Sequence, residues 1–206
     1  MRYYRKVVSE KAPPIHIREI GQIPALEENM RAAIFIEPDG ILTRIRAENL
    51  GGGAGAHEMI LGAAEALRIL KVADFLLIAT ANEGHLPQKG FRRADLDLLH
   101  EDLRRAFPLD DVLACRHDAA DECPCRKPRA GLLLEAAFKW HLELDRCFVI
   151  GNRWQDAEAA RHAGCVSTLI HSPWIGKGHR DYVLPDLPAV ARKILEVKEL
   201  DPLLQT

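Results

Sequence analysis

The chain has 206 residues, 48% of them hydrophobic, enough for one domain with a substantial core and a small insert. Its 28 basic and 30 acidic side chains leave a formal charge of -2, so no broad basic field exists for nucleic acid, and no apolar stretch approaches the length of a membrane span. Met1-Arg2-Tyr3-Tyr4-Arg5 leads into charged residues rather than an apolar signal core, and a cytoplasmic location is expected. Of the five cysteines, three fall within eleven residues, a spacing better suited to a metal than to secreted disulfides.

Residues 1–30 carry Pro13, Pro14 and Pro24, which interrupt any periodicity, and Glu27 and Glu28 add charge. An extended arm is expected, wrapping the domain or meeting a protein partner. Ala32 to Ile36 is a wholly apolar run that stops at Glu37-Pro38-Asp39-Gly40, the pattern of a buried parallel strand and the turn that ends it. Ligands of open α/β sheets bind at that carboxyl end, so Glu37 and Asp39, two residues apart, either point into one crevice or decorate a solvated turn.

The stretch from Arg44 to Ala56 is rich in glycine and suggests a mobile loop over the strand ends; no Gly-Lys-Ser/Thr follows it, which argues against a phosphate-cradling loop. Ala63 to Leu70 reads as a helix with Ala64, Leu67 and Leu70 on one face, and Phe75 to Ala79 as a second strand closed by Thr80. Thr80 then either caps the next turn or meets a ligand. Ala94 to Phe107 is expected as a helix with Leu96, Leu99, Leu103 and Phe107 inward and its charges in solvent. Val112 to Ala114 is a short strand. Arg129 to His141 follows as a helix through Leu133, Leu134, Ala137 and Trp140, then Cys147 to Ile150 as a strand and a helix ending at Gly164. Val166 to Ile170 gives a fifth strand and Leu187 to Val197 a closing helix. The fold class is α/β: a doubly wound, Rossmann-like parallel sheet in one domain over 31–200, with no large cap domain.

Cys115-Arg116-His117 followed by Cys123-Pro124-Cys125 is the sharpest local signal. Three thiols and an imidazole supply the tetrahedral set that zinc favours, and four protein ligands leave no open position, so a structural zinc loop over 115–125 is expected. Reduced cysteines that merely cluster are the alternative. Arg126-Lys127 comes directly after, either a phosphate-neutralising pair with Pro128 starting the next helix or a commonplace basic surface.

In this order the motifs resemble the haloacid dehalogenase superfamily of phosphohydrolases, in the branch of D-glycero-D-manno-heptose 1,7-bisphosphate and histidinol phosphatases. The resemblance spans about Arg31 to Ile170 and rests on the acidic turn, Thr80, the zinc loop flowing into Arg126-Lys127-Pro128, and Gly151-Asn152-Arg153-Trp154-Gln155-Asp156. It implies a hydrolase of carbohydrate metabolism that transfers a phosphoryl group from a small phosphorylated metabolite to a carboxylate. By position, Glu37 would be the nucleophile and Asp39 the general acid and base. Thr80 and Lys127 would hold phosphoryl oxygens, Arg126 would contact substrate, and Glu37, Asp39, Asn152 and Asp156 would serve magnesium. The family has aspartate where Glu37 and Asn152 stand. The extra methylene of Glu37 displaces the carboxylate by roughly 1.5 Å, and Asn152 removes a charge from a site whose ion prefers anionic oxygen. Weak or lost turnover is therefore expected, with a non-catalytic phosphometabolite- or partner-binding protein as the alternative. A zinc-loop nucleic-acid module is a third reading, and it lacks a basic stripe.

Overall fold

A computed structural model describes residues 31–45, 57–60, 62–87 and 90–200; the expected arm of 1–30 and most of the glycine-rich loop lie outside them. The centre is strand β1 (Ala33–Ile36), all four of whose residues are buried. Alternation along it splits the core in two: Ile34 and Ile36 face one layer, Ala33 and Phe35 the other.

Hairpin strands β2 (Thr43–Ile45) and β3 (His57–Met59) pair antiparallel beyond β1. Helix α1 (Ala63–Val72) leads to β4 (Leu76–Asn82), and α2 (Arg93–Ala106) to β5 (Asp111–Cys115). Then come α3 (Gly131–Trp140), β6 (Phe148–Gly151), α4 (Trp154–Ala163), β7 (Val166–Ile170), β8 (Tyr182–Leu184) and α5 (Leu187–Leu200). The main sheet has six parallel strands in the order β5-β4-β1-β6-β7-β8. Residues of α1, α2 and α5 pack on the Ile34 face, where Phe75 meets Phe148 edge-on at 5.8 Å. Residues of α3 and α4 cover the Phe35 face. Each fully buried aromatic contributes about 1.5–3 kcal/mol of transfer free energy, so a sheet sandwiched between two helical layers is what these runs can build.

Several expectations need correction. Thr80 does not end its strand; β4 continues to Asn82. The inward face of α3 is Leu132, Leu133 and Ala136, while Leu134 is 51% exposed; Ala137 and Trp140 are only partly buried. A run of three leucines gives no phase by itself, and the cover needed by β1 selected the first two. Ala64 is likewise only partly buried, with Ala63 and Ala66 beside Leu67 and Leu70 on the inward side of α1. Pro128 lies three residues before α3 rather than starting it, and α2 buries Asp95 and His100 among its charges. The hairpin and the edge strand β8 were not foreseen. Gly164 does take the left-handed conformation at the end of α4, with φ of 81°. Among the described residues no helix is long and apolar enough to cross a membrane.

Candidate active site

Parallel strands bring their carboxyl ends to one edge, and there the motifs converge. Glu37 follows β1, Thr80 lies near the end of β4, Lys127 follows the cysteine loop after β5, and Asn152 and Asp156 follow β6. Lys127 is 3% exposed and sits at the middle. Its ammonium donates to Glu37 Oε2 at 2.6 Å, Asp156 Oδ1 at 2.7 Å and the Thr80 carbonyl at 2.9 Å. Burial works against the ammonium, yet Asp156 and Glu37 together hold it well above the ordinary lysine range. Glu37 is pushed up from the usual carboxylate range, chiefly by burial; Asp156 adds to this and Lys127 opposes it. One cation thus serves two buried carboxylates.

Asp156 also explains why the chain turns into α4 here. Its second oxygen accepts from the main-chain N–H groups of Asn152 at 3.2 Å and Arg153 at 3.1 Å, satisfying donors at the helix start. Asp39 stands at the mouth, its carboxylate held by Arg153 Nη2 at 2.6 Å. Its main-chain carbonyl accepts from Asn152 Nδ2 at 2.9 Å. Thr80 Oγ1 and Asn152 Oδ1 are both buried without a hydrogen-bond partner. Native interiors rarely leave such atoms unpaired, so two polar atoms here await a ligand. Arg126 lines the same cleft and donates from Nη1 to the His117 carbonyl at 3.1 Å.

Magnesium takes hard oxygens, preferably anionic. The Glu37 carboxylate, the Asp39 carbonyl and the unpartnered Asn152 Oδ1 fit that description, with one charge fewer than an aspartate at 152 would supply. Asp156 directs both oxygens at Lys127 and the helix N–H groups.

Ligand atoms of Cys115, His117, Cys123 and Cys125 all lie within 4.8 Å of one another. Cys115 and Cys123 sulfurs are 3.5 Å apart, Cys123 and Cys125 sulfurs 3.4 Å, and His117 Nδ1 is 3.2 Å from the Cys125 sulfur. A tetrahedral zinc with bonds of about 2.3 Å to sulfur has edges of roughly 3.8 Å, so this cluster could hold such an ion with small adjustments.

Two residues join the cysteine loop to the pocket. Asn82 donates from Nδ2 to the Lys127 carbonyl at 2.9 Å and accepts the Lys127 N–H at 3.0 Å. Glu83 donates its N–H to the Cys115 carbonyl at 2.7 Å, and a Cβ on Gly84 would lie 1.9 Å from the His117 carbonyl oxygen. We expect Gly84→Ala to cost about 1–3 kcal/mol through overpacking and to loosen metal retention. The urea midpoint and the metal content of the purified variant measure both effects.

Position in the motifs thus anticipated Glu37, Asp39, Thr80, Lys127, Asn152 and Asp156 as neighbours. The parts played by Asn82, Glu83 and Arg153 were not anticipated. Arg153 lies between two motif residues, the only hint the sequence contains.

A family model described as HAD-hydrolase-like matches residues 124–189. The D-glycero-beta-D-manno-heptose-1,7-bisphosphate 7-phosphatase of Bordetella bronchiseptica is 28% identical over 150 residues, covering 66% of this chain and 82% of that protein. The Pasteurella multocida protein of the same name is 27% identical over 190 residues, covering 82% of this chain and all of that one. The crystal structure of D,D-heptose 1,7-bisphosphate phosphatase from B. bronchiseptica, complexed with magnesium and phosphate, superposes with a TM-score of 0.66 at 24% identity, covering 82% of this chain and 99% of that one. With the sheet order, the strand-end motifs and these likenesses together, the chain resembles the haloacid dehalogenase-like phosphatases, and among them the heptose bisphosphate phosphatases.

Proposed function

We propose that this protein binds a small phosphorylated metabolite, of the sugar phosphate kind its relatives are named for, and hydrolyses the monoester slowly through Glu37. The observation that carries the reading is Lys127, buried between Glu37 and Asp156 beside the unpartnered Thr80 hydroxyl. A phosphoryl group entering there meets an ammonium, a free hydroxyl and a carboxylate.

In the first step a Glu37 carboxylate oxygen attacks phosphorus. The bond from phosphorus to the leaving oxygen breaks, and Asp39 in its acid form delivers a proton to that oxygen. In the second step water attacks phosphorus of the acyl phosphate, Asp39 takes the water proton, and inorganic phosphate departs with Glu37 restored. Lys127 and Thr80 hold equatorial phosphoryl oxygens, and Arg126 at the rim contacts substrate. Magnesium, held by Glu37, the Asp39 carbonyl and Asn152 with Asp156 supporting from behind, would neutralise phosphoryl charge. The cysteine and histidine cluster would hold zinc and keep the Lys127 segment in place.

Slow turnover follows from two residues. Glu37 reaches one methylene farther than aspartate, and a misplacement of about 1 Å can cost around a hundredfold. Asn152 weakens the cation site. The test is magnesium-dependent phosphate release from heptose 1,7-bisphosphate and a panel of sugar monophosphates, comparing the protein with its Glu37→Asp/Asn152→Asp variant. We expect slow release that chelation abolishes, rising at least tenfold in the double variant. No release from either protein, on any member of the panel, would overturn the reading.

A further inference from the structure

Helix α3 is apolar almost all the way round. Leu132, Leu133 and Ala136 are buried on its inward side, yet Leu134 is 51% exposed and Phe138, one turn on, is 88% exposed. Only Glu135 and Lys139 carry charge along the helix, and Lys139 is committed to Asp111 at 2.7 Å. A helix with apolar residues on every side is one that is covered on every side. Among the described residues nothing covers the outer one, as the exposure of Phe138 shows.

The chain enters the fold at the end of this same helix. Arg31 N–H donates to the His141 carbonyl at 3.1 Å, Glu143 N–H donates to the Arg31 carbonyl at 3.2 Å, and Arg31 pairs with Leu142 in a parallel bridge. Phe138 and Leu134 precede His141 by three and seven residues, roughly 5 and 10 Å along the helix axis. About four residues of extended chain span the longer distance, and 30 residues precede Arg31. Within the sixteen nearest the helix, Ile15, Ile17, Ile20, Ile23, Leu26 and Met30 supply large apolar side chains. A second copy of the chain fits the face poorly. One aromatic side chain buries about 150–250 Å², whereas a stable complex takes about 800 Å² from each partner. A tethered segment needs no such area, because its effective concentration beside the helix is already high.

We propose that residues 15–30 dock back on the outer face of α3 and cover Leu134 and Phe138, so that the arm meets its own domain rather than a protein partner. The proposal does not depend on the phosphoryl-site reading above, and it is tested without any measurement of activity.

The experiment is photo-crosslinking of the full chain carrying Phe138→p-benzoylphenylalanine, followed by peptide mapping. The same probe at Val72 of α1, a site 89% exposed, is the comparison. Expected is a monomer-sized product that joins position 138 to residues 15–30, in several-fold excess over any arm product from position 72. Crosslinks chiefly between two copies, equal arm products from both positions, or none to the arm from position 138 would overturn the proposal. Tryptic cleavage after Arg18 gives a second readout. It should run at least about fivefold faster in Leu134→Ser/Phe138→Ser than in the unmodified protein, because cleavage follows the population of the undocked segment; an equal rate would overturn the docking. The probe at 138 replaces one exposed aromatic by another, so the crosslink remains decisive should the double serine variant fold poorly.

Discussion

Replacing Lys127 by methionine is expected to remove about 3–5 kcal/mol of stability and to abolish phosphate binding. The side chain is nearly isosteric, so the loss is electrostatic rather than a cavity. Without the ammonium, Glu37 and Asp156 remain as neighbouring buried carboxylates with no cation between them. The folded-state pKa of Glu37, already raised by burial, would then rise further above the unfolded one, because Lys127 no longer opposes the shift. Stability contributed by protonated carboxyls is present below the unfolded pKa and lost as pH rises through the folded value. The variant should therefore lie closer to the unmodified protein at pH 5 than at pH 8. Urea unfolding at the two pH values, with phosphate titration at neutral pH, measures both effects. A variant as stable as the parent at pH 8 would mean that Lys127 does not hold this pocket together.

Removing the metal proposed for the cysteine loop should be the second large effect. Loss of a structural metal belongs with changes that cost more than about 4 kcal/mol, and a chain of this size loses about 2–4 °C per kcal/mol. We expect one zinc per chain by elemental analysis, and a fall in Tm of more than about 10 °C on chelation, reversed by zinc. The reason lies in what the loop supports. The Cys115 carbonyl anchors Glu83, the His117 carbonyl receives Arg126, and Cys125 precedes Lys127 by two residues. Phosphate affinity should fall together with Tm. A protein that purifies without zinc and whose Tm ignores chelators would show that the thiols pack as small apolar groups.

The parallel sheet was legible because its strands are short apolar runs ended by polar turn residues, as at Ile36-Glu37-Pro38. The pocket was legible because a parallel sheet delivers successive strand ends to one edge, so motif order alone makes neighbours of Glu37 and Lys127. Other features were hidden for physical reasons. Thr43 to Ile45 and His57 to Met59 are too short and too polar to announce strands, and their pairing spans a glycine-rich stretch with no periodicity. Tyr182 to Leu184 is an edge strand of three residues. Glu83 and His100 are separated by 17 residues, and nothing local distinguishes them from a loop acid and a helix-surface histidine. Arg153 reaches Asp39 across 114 residues, a pairing that only the folded chain defines.

The Asn82 amide faces the main chain of Lys127 as donor to acceptor and acceptor to donor, the way one strand faces another. That clasp makes the end of β4 and the buried Lys127 ammonium a single body. Lengthening or shortening the turn after Asn82 would pull on the clasp and shift Lys127 with it. A lineage built on this scaffold can therefore exchange side chains beside that turn far more readily than it can insert or delete residues there. Diversity of length is left to segments that do not touch the clasp.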